Sequence, residues 1–231
     1  MRLDKFVSHA TGLPREISKR LIRKRQVQVN GTMVSNAAFQ VEDTDNVTLE
    51  GETLHITGPR YLMLHKPCGV VCATEDGDHP TVLDLIEDMD TEGLSIGGRL
   101  DIDTTGLVLL SDDGQWLHRV TSPRHLFSKV YRATLQEPVD QQTIDSFATG
   151  MLLRGEDKRT APAQCEALPD NGARVTLNEG RYHQVKRMFA ACGNHVVSLH
   201  REKIGAVALD DTLAEGEYRI LTATEIESFT S

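Results

Sequence analysis

The stretch Gly98-Arg99-Leu100-Asp101-Ile102-Asp103-Thr104-Thr105-Gly106-Leu107 constrains this chain more than any other. Polar residues bounded by glycines lead into an unbroken apolar run, Leu107 to Leu110, with the length and composition of a buried strand. The polar residues therefore lie at a strand end, where the Asp101 and Asp103 carboxylates stand close to Arg99. A carboxylate held at such an edge beside a cation can do chemistry on a bound ligand. Asp, Thr and Gly are also the residues that tight turns use. Spacing alone leaves both readings open.

The rest of the chain narrows the choice. With 231 residues it can hold one large or two small domains, and 39% apolar and 26% charged residues describe an ordinary globular protein. No apolar run is long enough to span a membrane, and the start lacks a basic segment followed by an apolar one. A cytoplasmic protein without membrane association is expected. The four cysteines (Cys68, Cys72, Cys165, Cys192) show no paired spacing and the nine histidines no ligand spacing. Neither a metal site nor a disulfide framework is indicated.

The net charge of −9 argues against a nucleic-acid partner only as an average. The first 30 residues carry +6, which leaves −15 for the remainder. Leu3, Phe6, Val7 and Ala10 have the spacing of a short amphipathic helix that Gly12 ends. Pro14 suits the first turn of a second helix, with Ile17 and Leu21 facing inward. Arg15, Lys19 and Arg23 line another face of that helix, with Arg20 and Lys24 beside them. Only Glu16 offsets the six cations from Arg15 to Arg25, which favours a phosphate-binding face over a solvated one. Asn30-Gly31 between alternating residues predicts a hairpin. An acidic strand-like stretch from Val41 to Glu52 follows, and Gly58-Pro59 reads as a linker. Two helices, the second basic, followed by a hairpin resemble a small RNA-binding domain first described in a small-subunit ribosomal protein.

Beyond the linker, Tyr61 to Val71 reads as a strand, a Lys-Pro-x-Gly turn and a second strand, followed by an exposed loop from Thr74 to Pro80. A helix is expected from Asp113 to Thr121 and a half-buried strand from Lys129 to Leu135. Another helix runs between Pro138 and Gly150, with Ile144 and Phe147 inward. Asn171-Gly172 separates two strands, Ala163 to Leu168 and Ala173 to Leu177. A helix opens near Gly180 and ends at Gly193, and Thr222 with Glu225 has the spacing of a capping box. Hairpins interspersed with separate helices predict an α+β body with a largely antiparallel mixed sheet flanked by helices. The expected domains are 1–58, RNA-binding, and 59–231, catalytic.

Four segments, "GRLDIDTTGLVLL", "HKPCGVV", "KVYRATL" and "GRYHQVKRMF", resemble the signature regions of the RsuA branch of the pseudouridine synthases. That branch joins such an RNA-binding domain to its catalytic domain, and the agreement runs from about residue 1 to 225. The resemblance implies conversion of a uridine in 16S ribosomal RNA, uridine 516, to pseudouridine. Its implied partner is 16S RNA or a small-subunit assembly intermediate, bound by a monomer without metal, nucleotide or redox cofactor. A synthase of the same branch acting on large-subunit RNA, or a non-catalytic ribosome-assembly factor, are the alternatives.

The resemblance assigns the reacting carboxylate to Asp101, with Asp103 holding the loop. Lys186 is the implied ion-pair partner and Arg187 the second choice, because a carboxylate shut away from water needs a cation to stay charged; Arg187 otherwise contacts RNA, as Lys129 is expected to. Tyr131 is implied to pack on the target base, with Lys129 on the same strand face. Arg99 would fill the position vacated by the everted nucleotide or hold its phosphate, unless it pairs with Asp103. His183 reads as a hydrogen-bonding support, and Lys66-Pro67 as shaping the sheet end, with an RNA contact left open.

Overall fold

The computed structural model describes all residues except Gly12, Asp43, Ile56, Thr57, Asp88, Pro123, Arg124, Leu126 and Ser231, and the side chain of His9. The end-of-helix role read for Gly12 lies outside the described residues. The chain divides into two compact units, Met1–Gly58 and Pro59–Ser231.

In the first unit, helices α1 (Leu3–Thr11) and α2 (Arg15–Arg23) precede strands β1 (Val27–Val29), β2 (Thr32–Met33), β3 (Val47–Leu49) and β4 (Glu52–Thr53). The sheet order is β2-β1-β3-β4, antiparallel throughout. Asn30 (φ 51°) and Gly31 (φ 77°) both take positive φ, the geometry that a two-residue hairpin demands. Pro14 caps α2 from outside and does not occupy its first turn. The face of α2 turned fully inward carries Ser18 and Ile22; Ile17 and Leu21 are half-buried beside it. Small Ser18 donates back to the Pro14 carbonyl (3.4 Å), so this polar residue is buried without an orphaned hydroxyl. The acidic stretch after Val41 is a short hairpin, with a turn at Glu50-Gly51 between β3 and β4.

The second unit holds β5 (Tyr61–Lys66), β6 (Ser95–Gly97), β7 (Thr104–Ser111), α3 (Gly114–Thr121), β8 (Lys129–Leu135), α4 (Gln141–Thr149), β9 (Gln164–Leu168) and β10 (Gly172–Leu177). After them come α5 (Gln184–Ala191), β11 (Val196–Ile204), β12 (Val207–Ala208), β13 (Tyr218–Ile220) and α6 (Ala223–Glu227). One sheet of nine strands runs β13-β5-β7-β11-β8-β10-β9, with β6 on β7 and β12 on β11. Every pairing is antiparallel except β7 with β11. No described helix is long and apolar enough to cross a membrane.

Both faces of the sheet are covered, which explains the unbroken apolar run of β7. Leu62, Leu64, Val108 and Leu110 pack with Phe147 of α4 and Phe189 of α5 on one side. Met63, Leu107 and Leu109 pack with Trp116 of α3 and Phe229 on the other. Three boundaries differ from expectation. Val70-Val71 forms a single bridge to Thr81 and no strand, because no neighbouring strand offers a ladder there. Asp140, not Pro138, starts α4: its carboxylate accepts from the Thr143 amide (2.7 Å), and Thr143 and Phe147 are the buried pair. The β9–β10 turn centres on Asp170-Asn171, both with φ 54°, so Gly172 already pairs as strand. The capping box of Thr222 and Glu225 is present in full.

Candidate active site

Strand β7 begins at Thr104, so the loop Gly98–Asp103 hangs from its first residue. The Thr104 amide donates to the Asp101 carbonyl (3.1 Å), closing a turn over Asp101-Ile102-Asp103-Thr104. Turn and site are thus the same residues. The Asp101 carboxylate is about three-quarters buried and both of its oxygens are met from the segment that opens α5. Lys186 Nζ lies 3.1 Å from Oδ2, and His183 Nε2 lies 3.2 Å from Oδ1. Lys186 also reaches Asp103 Oδ1 at 2.5 Å. Burial works against the Lys186 charge, but the hydrogen bonds it donates to Asp103 and Asp101 outweigh it, and the lysine titrates above its ordinary value. The same Lys186 bond holds the Asp103 carboxyl below the usual carboxylate range.

A cleft of about 1100 Å³ opens beside this cluster, ample for a nucleotide. Asp101, Arg99, Lys129 and Tyr131 line it, along with Tyr182 and His183. Tyr131 comes from β8, two strands from β7 across β11, and its ring is almost fully buried. Lys129, on the same strand face, donates to the Phe127 carbonyl (3.1 Å). Burial, then the nearby Arg201 charge, pulls Lys129 below the ordinary lysine range. Arg99 is exposed and makes no side-chain pair with Asp103 among the described residues.

Residues 60–191 match the sequence model of the RNA pseudouridylate synthase family, and residues 1–47 match that of the S4 domain. The chain belongs to the RNA pseudouridylate synthase family. It is 53% identical to the ribosomal small subunit pseudouridine synthase A of Escherichia coli K12 over 99% of both chains. The protein of the same name from Pasteurella multocida is also 53% identical, and that from Vibrio cholerae 47%, each over 99% of both chains. A crystal structure of a pseudouridylate synthase superposes with a TM-score of 0.72 at 49% identity, covering 99% of each chain.

Two buried cations hold the Asp101 loop of this synthase by its backbone: Lys66, which the sequence placed at the sheet end without showing its burial, and Arg201, which it did not single out. Lys66, at the end of β5, is wholly buried, so it makes no RNA contact. Its ammonium donates to the carbonyls of Pro67 (2.9 Å), Ile102 (3.3 Å) and Thr104 (2.8 Å). Burial pushes its pKa down. Arg201 of β11 holds the other end, donating to the carbonyls of Gly98 (2.8 Å), Arg99 (3.4 Å) and Leu107 (2.8 Å). Gly106 must be glycine for this arrangement: at φ 108° its absent Cβ would lie 2.4 Å from the Arg201 carbonyl oxygen. The KP dipeptide at a strand end was the signal for Lys66; Arg201, followed directly by Glu202, carries none.

Arg187 does not reach Asp101. It pairs with Glu156 (2.6 Å) and donates to the carbonyls of Tyr182 (3.1 Å) and Arg154 (3.0 Å), tying the start of α5 to the loop after α4. In the first unit, Arg15 is bound at two points to the buried Asp4 carboxylate (3.1 Å each), and Lys19 is paired with Glu16. Arg20, Arg23 and Lys24 are exposed without a hydrogen-bonded side-chain partner among the described residues.

Proposed function

We propose that this synthase converts one uridine of small-subunit ribosomal RNA, uridine 516 of the 16S molecule, to pseudouridine, with Asp101 as the reacting carboxylate. Full-length identity to proteins named for that subunit supports the target class. The observation that carries the chemistry is the Asp101 carboxylate at the cleft wall with Lys186 and His183 on its two oxygens. The reaction breaks C1′–N1, turns the uracil and joins C5 to C1′; the C5 proton leaves and N1 gains one, so atoms and electrons balance without a co-reactant. Addition of the carboxylate to C1′, addition to C6, and removal of the C2′ proton all require it ionised. The Lys186 ammonium, hydrogen-bonded to Oδ2, and the His183 ring beside Oδ1 hold that carboxylate at the cleft wall.

The remaining roles follow from position. A uridine in folded RNA is everted to reach Asp101. Tyr131 then packs on the base from β8, Lys129 extends the same wall, and Arg99, free of Asp103, holds the everted nucleotide's phosphate or the vacated stack. Asp103 keeps Lys186 in place. Residues 1–58 bind RNA through Arg20, Arg23 and Lys24, since Arg15 and Lys19 are already engaged by acids; residues 59–231 do the chemistry. The test is to map pseudouridines in ribosomal RNA from a strain lacking this gene. Loss of a single small-subunit pseudouridine, restored by the wild-type gene, is expected. Loss of a large-subunit modification instead would refute the assignment.

A further inference from the structure

Tyr182 is 76% exposed, whereas the other three tyrosines are buried or half-buried. A single exposed aromatic is ordinary. This one differs in three respects. It lines the cleft that contains Asp101. Its ring lies flat against the His183 imidazole, with centroids 3.8 Å apart and planes 19° from parallel, which covers one face and leaves the other to solvent. And its backbone is fixed: Arg187, anchored by Glu156, donates to the Tyr182 carbonyl, and His183 sits in the left-handed region at φ 47°.

We infer that the outer face of Tyr182 is a stacking platform for the nucleobase next to the everted uridine in the bound RNA. The inference rests on the proposed function and adds a binding subsite to it. Asp101 meets the His183 ring at its Nε2 edge, while the Tyr182 ring covers a face of the same imidazole and turns its own outer face away from it. The target uracil must touch Asp101, and a base on the outer face of Tyr182 is held off the His183 edge that Asp101 meets by the thickness of the phenol ring, so it is a neighbour and not the target. Eversion strips that neighbour of a stacking partner, and a phenol ring held in place replaces it with little loss of side-chain freedom. Any base presents a π face, so the contact adds affinity without reading sequence.

The test uses an RNA stem-loop containing the target uridine, with 2-aminopurine at each flanking position in turn. Bound to the wild-type chain, one of the two labelled RNAs should show quenched fluorescence. Tyr182→Phe should keep the quench and the KM. Tyr182→Leu and Tyr182→Ala should abolish the quench and raise KM about 5- to 160-fold, the range for loss of one base–aromatic stack, with kcat within about twofold. Lowered kcat at unchanged KM would show that Tyr182 acts through His183, and would overturn the inference, as would unchanged quenching in the leucine variant. The quench is read in binding titrations that need no turnover. Failure of the wild-type chain to convert uridine would therefore count against the proposed function and leave the stacking result to stand or fall by itself.

Discussion

Lys66→Met removes the ammonium under the Asp101 loop and keeps an unbranched stem of similar length. Three carbonyls, those of Pro67, Ile102 and Thr104, lose their donor at once in a site with no exposed lysine atom. Hydrogen bonds to a charged group contribute roughly 1.5–3 kcal/mol each, so the gross loss is about 4–9 kcal/mol. Part is returned, because burial disfavours the charged form of this lysine and the methionine has no such penalty. A net loss of about 3 kcal/mol results, the lower end for breaking a buried polar network, since the groups left behind are neutral. Trp116 is the only tryptophan, lies wholly buried in the second unit, and so reports its unfolding. With a urea slope of about 2 kcal/mol per molar, the midpoint should fall by about 1.5 M. In folded protein the turnover number should fall at least tenfold, because Asp101 is no longer held against Lys186 and His183. A midpoint shift below about 0.3 M with full turnover would refute the claim that Lys66 braces the loop.

Two further outcomes concern the first unit. Asp4 is wholly buried between Arg2 and Arg15; the Arg2 hydrogen bond first, then that of Arg15, hold its carboxyl far below the usual range against the cost of burial. A depressed folded pKa contributes stability that is present above the unfolded value of 3.8 and lost as pH falls below it. Amide protection at Val7 and Ile22 should therefore drop below about pH 4, and Asp4→Asn should lower protection at neutral pH while flattening the acid dependence. For RNA binding, Arg20→Ala with Lys24→Ala should reduce the slope of log affinity against log salt by about 1.5 to 2, while Arg15→Ala should destabilise the unit and leave the slope nearly unchanged. An equal slope change in both would contradict the division between engaged and free cations.

Much of the fold was legible where a local rule operates. Asn30-Gly31, the β8 alternation and the Thr222–Glu225 box each depend on a few adjacent residues, and each formed as read. Edges were less legible. Val70-Val71 has strand chemistry but no partner strand, and that depends on a neighbour distant in sequence. On α2, ranking residues by apolarity favoured Ile17 and Leu21, whereas the fully buried pair is Ser18 and Ile22, with the Ser18 hydroxyl met by the Pro14 carbonyl. The site divides the same way. Asp101 and Lys186 lie 85 residues apart, and only the family resemblance joined them before the fold did. Lys66 was read only as shaping the sheet end and Arg201 went unread, because their actual partners are backbone carbonyls that leave no mark in the sequence.

The most direct measurement is tritium release from small-subunit RNA labelled at uridine C5, comparing the wild-type chain with Asp101→Asn. Asparagine keeps the size and the turn while removing the charge that Lys186 and His183 meet. The account predicts release by the wild type, none above background by the variant, and equal RNA affinity for the two. Substantial release by Asp101→Asn would contradict it.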